Sequence, residues 1–200
     1  MTSQAGYYCD LTTGDQFECG GVDVYCPEDS VVPSPVLAGS YSLGGTSITT
    51  RTATQLCEPG YHCRGGIKYE CGTSTEGRCA GGISCWCEFY GQSGPIPVSN
   101  GYFSSDGGVN TRTRQLPCQL GWYCPGDGTN ATCVPGKYAN QARMAACALC
   151  EAGKYVDGFG ATTCADCDDG AACPPGSTSK DAPCPDGYVS EGGQCIRYVY

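Results

Sequence analysis

The residue type with the most chemistry to offer here is cysteine. The chain carries nineteen cysteines and a single histidine in 200 residues. Thiols at that density can form disulfides, hold a soft metal or serve as nucleophiles. Cys147-x-x-Cys150 and Cys164-x-x-Cys167 approach zinc-ribbon spacing. A zinc site would keep those thiolates reduced in a chain otherwise saturated with cysteine, so disulfides are the stronger expectation. A Cys/His nucleophile pair would have to be Cys63 with His62. Sequence neighbours on a short turn point apart, and a second copy of the segment has Tyr123 in the histidine's place. Phosphate-binding loops, serine-nucleophile elbows and metalloprotease helices leave no trace. Asp166, Asp168, Asp169 and Gly170 form an acidic turn without EF-hand ligand spacing. It reads as solvated, with weak calcium binding as the alternative. The sequence therefore predicts no catalytic residue, no metal site, no cofactor and no enzyme.

Spacing suggests how the cysteines pair. One local scheme joins Cys57 to Cys63, Cys118 to Cys124 and Cys167 to Cys173, each around a Cys-x-x-Gly-x-x-Cys loop. It also joins Cys133 to Cys147, Cys150 to Cys164, Cys184 to Cys195 and Cys19 to Cys26. Cys71, Cys79, Cys85 and Cys87 then pair among themselves. Interleaved pairing competes, because sequence alone does not fix connectivity. Nineteen is odd, so one cysteine is left over. Cys9 is that residue, since Ser3 stands where its partner belongs; it is expected to be unpaired or bonded to another subunit or segment.

One further residue offers chemistry. Asn130-Ala131-Thr132 is an N-glycosylation sequon in a Gly/Asp/Thr turn that favours exposure. Thr46, Ser47, Thr49, Thr50, Thr52 and Thr54 form a hydroxyl-rich stretch, expected as a β edge or O-glycan site.

These residues must be held by small elements. Gly (31) and Pro (13) punctuate nearly every run. Short strands are expected at Val22–Tyr25, Ile48–Thr52, Thr111–Gln115 and Ile196–Tyr200. The one helix candidate is Asn140–Leu149, capped by Asn140. Tyr61, Tyr123, Tyr138 and Tyr155 recur beside cysteines, where a ring can cover a disulfide and keep its hydroxyl wet.

Those elements repeat. Pro33–Cys63 and Pro95–Cys124 share Pro-x-Pro-Val, an aromatic-Ser step, Gly-Gly, Thr-Arg-Thr and Leu before cysteine. From Cys133 a shorter 17-residue repeat runs to Cys150 and again to Cys167. The expected modules are a partial repeat over 1–32, a repeat over 33–94, another over 95–132 that duplicates 33–71, and short repeats over 133–200. Because Ser3 breaks the first motif, the chain reads as opening inside a repeat of something longer.

Bulk composition narrows the class. Fewer than one residue in seven is Leu, Ile, Val or Phe, too little for an ordinary core, so covalent links must replace burial. A net charge of −9 lacks the cationic footprint nucleic acid needs. No stretch reaches the roughly 18 apolar residues of a membrane helix. Cysteine density fits an oxidising, extracellular setting.

The run Cys133-Val-Pro-Gly-Lys-Tyr … Cys147-Ala-Leu-Cys150-Glu-Ala-Gly-Lys-Tyr … Cys164-Ala-Asp-Cys167 resembles ephrin-receptor-like cysteine-rich repeats, which are similar to EGF-like and tumour-necrosis-factor-receptor modules. The longer modules resemble those of large secreted algal and protist proteins, mastigoneme proteins among them. The resemblance implies an extracellular cysteine-rich repeat protein. In an algal setting it adds hydroxyproline glycosylation at Pro33-Ser34-Pro35.

The expected fold is small and disulfide-rich: tandem modules with short β-hairpins and little helix, forming an elongated rod. The expected function is an extracellular structural glycoprotein, a subunit of a filament or cell-surface appendage. Its partners would be copies of itself or another extracellular protein, and glycans. Ile196–Tyr200 would pair with a neighbour's sheet edge. A ligand-binding receptor or adhesin ectodomain is the alternative.

Overall fold

A computed structural model describes residues 2–72, 79, 84–168, 171–181, 184, 186, 188–191 and 194–197. The chain folds as two units, Met1–Pro97 with Ser104–Arg114, and Val98–Phe103 with Gln115–Tyr200.

Every strand in both units is four residues or shorter, because glycine and proline recur before a longer one can form. In the first unit β1 (Tyr7–Cys9) pairs with β2 (Gln16–Glu18), and β3 (Val24–Tyr25) with β4 (Ser34–Pro35). Next come β5 (Ser40–Leu43) with β6 (Ala53–Leu56), β7 (Tyr61–Arg64) with β8 (Ile67–Glu70), and β9 (Cys85–Trp86) with β10 (Ile96–Pro97). Strands β11 (Tyr102–Ser105) and β12 (Arg114–Pro117) form the hairpin through which the chain passes between units. The second unit pairs β13 (Trp122–Tyr123) with β14 (Ala131–Thr132) and β15 (Lys137–Tyr138) with β16 (Ala148–Leu149). It ends with β17 (Lys154–Tyr155) on β18 (Ala165–Asp166) and β19 (Tyr188–Glu191) on β20 (Gln194–Arg197). All pairs with a defined register are antiparallel. The fold is small, disulfide-rich and built only of strands among the described residues.

Within each unit, the hairpins that open on glycine are tied to the next by the same main-chain bonds. A turn with glycine at its third position opens the hairpin; in Glu58-Pro59-Gly60-Tyr61 the Tyr61 N–H donates to Glu58 O at 3.1 Å. Gly60 has φ 87°, and an added Cβ would sit 2.9 Å from Thr111 O, so only glycine fits without strain. The glycine N–H then donates into the following hairpin. In the first unit Gly6, Gly39 and Gly60 donate to Cys26, Cys63 and Cys87 O at 2.8, 3.1 and 2.7 Å. In the second, Gly101, Gly121 and Gly136 donate to Cys124, Ala139 and Val156 O at 2.9, 2.9 and 2.8 Å. Three residues on, a second N–H donates to the next hairpin's loop. Cys9 reaches Ser30 O, Cys26 reaches Arg51 O, Cys63 reaches Gln92 O, and Ala139 reaches Ala161 O, all at 2.8–3.0 Å.

The core is sulfur. Among the described residues, every buried hydrophobic one apart from Val98, Ala139 and Ala172 is a cysteine. Leu37, Phe159 and Leu11 are 74%, 71% and 68% exposed. Apolar burial contributes little, and each closed loop contributes about 2–4 kcal/mol by restricting the unfolded chain.

Several expected elements move. Asn140–Leu149 is not helical. Arg143 takes φ 66°, its N–H is spent on Cys118 O, and Met144 O accepts from Cys124 N. Cys147 is drawn to Cys133, after which Ala148–Leu149 becomes β16. Ile48–Thr52 is a loop. The buried Thr50 hydroxyl accepts the Thr46 and Ser47 N–H groups, both at 3.1 Å, and β6 starts only at Ala53. Thr50 is therefore closed to O-glycans. The strand expected at Thr111–Gln115 starts later, at Arg114, and Val22–Tyr25 shortens to Val24–Tyr25. The strand expected at Ile196–Tyr200 is Gln194–Arg197, with one edge taken by β19; residues 198–200 lie outside the described residues. Among the described residues no helix is long and apolar enough to cross a membrane.

Candidate functional site

The cysteines are best understood by position in the hairpin. Cys19, Cys57, Cys71, Cys118, Cys133, Cys150 and Cys167 all occupy the closing position, where the N–H returns to the hairpin's opening glycine: Gly6, Gly39, Gly60, Gly101, Gly121, Gly136 and Gly153. Their partners fall in two places. Cys19–Cys26, Cys57–Cys63, Cys71–Cys87 and Cys118–Cys124 reach the third position of the next hairpin's first strand, counted from the opening turn. Cys133–Cys147 and Cys150–Cys164 reach the residue just before the next hairpin's second strand. In those two hairpins the third position holds Ala139 and Val156 instead. Cys79–Cys85, Cys167–Cys173 and Cys184–Cys195 complete nine bonds. Cys9 is buried and free. Ser3 is buried too, and its hydroxyl donates to Ser30 O at 2.9 Å. Since Cys147, Cys150, Cys164 and Cys167 are all bonded to other sulfurs, the zinc-ribbon spacing holds no free thiols.

Nine bonds place the chain in the chemistry of an oxidising compartment, as secreted and extracellular proteins meet it.

One position escapes the sequence reading. In nine successive hairpins the second residue of the first strand is a ring: Tyr8, Tyr25, Tyr41, His62, Trp86, Phe103, Tyr123, Tyr138 and Tyr155. All nine are half-buried. The residue after each ring is small and buried, from Cys9 to Ala139, with half-buried Val156 closing the series. The signal is Gly-x-ring in seven of the nine, plain in Gly136-Lys137-Tyr138, while Asp23 and Ser84 stand in the glycine's place before Tyr25 and Trp86. Tyr61 is the exception among the tyrosines singled out, being one residue early; it lies under the Lys68 ammonium at 4.4 Å.

His62 thus fills a structural ring position. Its imidazole stacks on Tyr69 with centroids 5.3 Å apart, and Nδ1 lies 3.4 Å from Cys71 Sγ. Burial pushes its pKa below the ordinary value, favouring the neutral ring. His62, Cys71 and Cys87 cluster within 4.8 Å, but the two sulfurs are bonded to each other.

Lysines stand against the acids of the turn around Asp166 and Asp168. Lys154 Nζ is 2.6 Å from Asp166, and Lys180 Nζ is 3.1 Å from Asp168. The hydrogen bonds to these carboxylates hold both lysines above their ordinary pKa. Asp169 and Gly170 lie outside the described residues.

Asn130 is exposed just before β14 and lines a groove of about 320 Å³ with Phe103, Leu116, Pro117, Gln119 and Trp122. The loop before it is fixed by Asp127, which accepts the Thr129 N–H at 2.9 Å and the Thr129 hydroxyl at 2.6 Å. The hydroxyl bond leads in holding the Asp127 carboxyl below its usual range. No protein-family model and no curated protein matches this chain, so its resemblance to cysteine-rich repeat families rests on cysteine and glycine spacing.

Proposed function

We propose that the chain is an extracellular structural glycoprotein, a subunit of a filament or cell-surface appendage that assembles through repeat packing. The observation that carries this reading is the recurrent joint. In the hairpins that open on glycine, the same two backbone N–H groups bond the next hairpin, whatever side chains lie around them. An interaction made by main chain and repeated along the chain suits head-to-tail addition of further copies. Disulfides at successive joints make the repeat resistant to local opening under load.

Electron microscopy of native material, with sedimentation of the purified protein, tests it. Regular fibrils and concentration-dependent assembly are expected. A protein that stays monomeric at high concentration, with no fibril in native material, overturns the reading. One feature favours a receptor or adhesin instead: Phe89 and Tyr90, adjacent in sequence, are 61% and 69% exposed. Exposed aromatics of this kind anchor protein interfaces. Replacing both with serine would then abolish capture of a partner and leave self-assembly intact.

A further inference from the structure

The groove at Asn130 has a counterpart. Between the hairpins of β15–β16 and β17–β18, a groove of about 210 Å³ is lined by Tyr138, Glu151, Lys154 and Cys164, with Asn140 and Thr163. Four lining positions of the two sites match. Phe103 and Tyr138 are the rings, Gln119 and Glu151 begin the opening turn, and Trp122 and Lys154 begin the next first strand. Asn130 and Cys164 precede the second strand. Cys164 is bonded to Cys150 and so closes its groove. In the other hairpin the bond goes to Cys124 instead, leaving that position free for asparagine.

Resting on the reading of an extracellular glycoprotein, we propose that Asn130 carries an N-linked glycan whose first N-acetylhexosamine lies in this groove, against the Trp122 and Phe103 rings. Three observations converge. Asn130 opens a sequon and is exposed. Thr132, the third residue of the sequon, pairs directly across from Trp122. Asn130 is also part of the groove wall, so a sugar on its amide starts at the rim. The groove is of the small-ligand class, where sites run about 300–1,000 Å³, and suits one sugar ring rather than a long branch. The C–H face of a pyranose packs on aromatic rings, and Gln119 offers the amide that the sugar's acetamido group needs. Trp122 is the telling residue, since Lys137 and Lys154 hold its place in the hairpins that follow.

The test is expression of the full chain through a eukaryotic secretory pathway, with intact mass before and after peptide N-glycosidase. Occupancy at Asn130 is expected, and its loss in Thr132→Ala. Under native conditions the glycosidase should remove the glycan at least tenfold faster from Trp122→Lys, which borrows the repeat's own residue, than from the unaltered protein. Nuclear Overhauser contacts between acetyl protons and the Trp122 indole in the unaltered glycoprotein give a second readout that needs no variant. An unmodified Asn130 overturns the proposal. So does a glycan with equal cleavage rates and no indole contact. Fibril formation is scored separately, so failure of the seating is distinguishable from failure of the structural reading.

Discussion

The hairpins around Cys57 and those around Cys150 share a main-chain plan and differ in where sulfur is placed. In the first, Cys57 bonds across the opening turn to Cys63, a sequence separation of 6. In the second, Cys150 bonds across most of the hairpin to Cys164, a separation of 14. Yet the closing bonds Cys57 N–H to Gly39 O (2.9 Å) and Cys150 N–H to Gly136 O (3.0 Å) are alike. The joint at Ser42 goes further. It has Val36 at the preceding closing position and serine at the third, with no cysteine at either, yet the Cys26 N–H of the earlier hairpin still donates to Arg51 O in the later one's loop at 2.8 Å. Main-chain bonding therefore defines the fold, and the disulfide is a staple that can be moved.

Removing staples should show the largest effect and the clearest asymmetry. Cys150→Ala with Cys164→Ala opens the longer loop and should cost about 3 kcal/mol, whereas Cys57→Ala with Cys63→Ala should cost about 2 kcal/mol on the chain-entropy scale. Denaturant unfolding of each unit, followed by hydrogen exchange at the affected hairpin, measures both. Equal losses would mean that the bonds act through native contacts rather than by restricting the unfolded chain. Adding a staple is the reverse experiment. Ser3 is six residues before Cys9, the separation of Cys57–Cys63 and Cys118–Cys124, and both residues are buried. Ser3→Cys should oxidise spontaneously, abolish the free-thiol signal of Cys9 and stabilise the first hairpin by about 2 kcal/mol. A persistent free thiol would show that the first joint departs from the repeat. Smaller still is the effect of moving a staple. Ala139→Cys combined with Cys147→Ala shifts the partner of Cys133 from the distant position to the near one. The new thiol should bond to Cys133, mapped by non-reducing peptide analysis, at a net cost below about 1 kcal/mol.

The plan is partly legible in the sequence. The closing cysteines stand out because the 17-residue period repeats Cys133, Cys150 and Cys167 in one frame, and the hairpins follow from glycine and proline spacing. The helix at Asn140–Leu149 failed because propensity counts local terms only. There the backbone groups of Arg143 and Met144 are taken by Cys118 and Cys124, partners on an earlier hairpin that no local pattern contains. The strand at Ile48–Thr52 failed for a related reason. β-branched content favoured it, but the Thr50 hydroxyl competes for backbone N–H groups and holds a loop. The ring position was half seen. Tyrosines beside cysteines are visible, and the duplicated segment already sets His62 opposite Tyr123, but that Tyr25 and Trp86 share this position depends on which residues pair across the strands. The groove at Asn130 was not legible, since it depends on Phe103 and Trp122 of different hairpins meeting.

His62 gives the mildest test of the same comparison, because an imidazole can change charge near neutral pH. Burial lowers its folded pKa, so the folded state resists the proton that the unfolded chain accepts near pH 6.5. A depressed pKa means that the unfolded state binds more protons in this window. Stability is then complete above about pH 6.5 and is lost as pH falls through the folded value. His62→Tyr installs the ring found at Tyr41 and Tyr123 and keeps the stack on Tyr69 available. Glu58 and Asp127, whose carboxyls are held low by their hydrogen bonds, still titrate in both proteins, so acid sensitivity below the carboxylate range should be shared. The difference between the two stability curves should be flat above pH 7 and open only between the unfolded and folded histidine values. The hairpin joined by Cys57–Cys63 should feel it most, as read by exchange of the Cys63 and Tyr61 amides. A difference curve flat throughout would mean that the imidazole stays solvated enough to charge freely, and that the ring position tolerates a cation beside the Cys71–Cys87 bond.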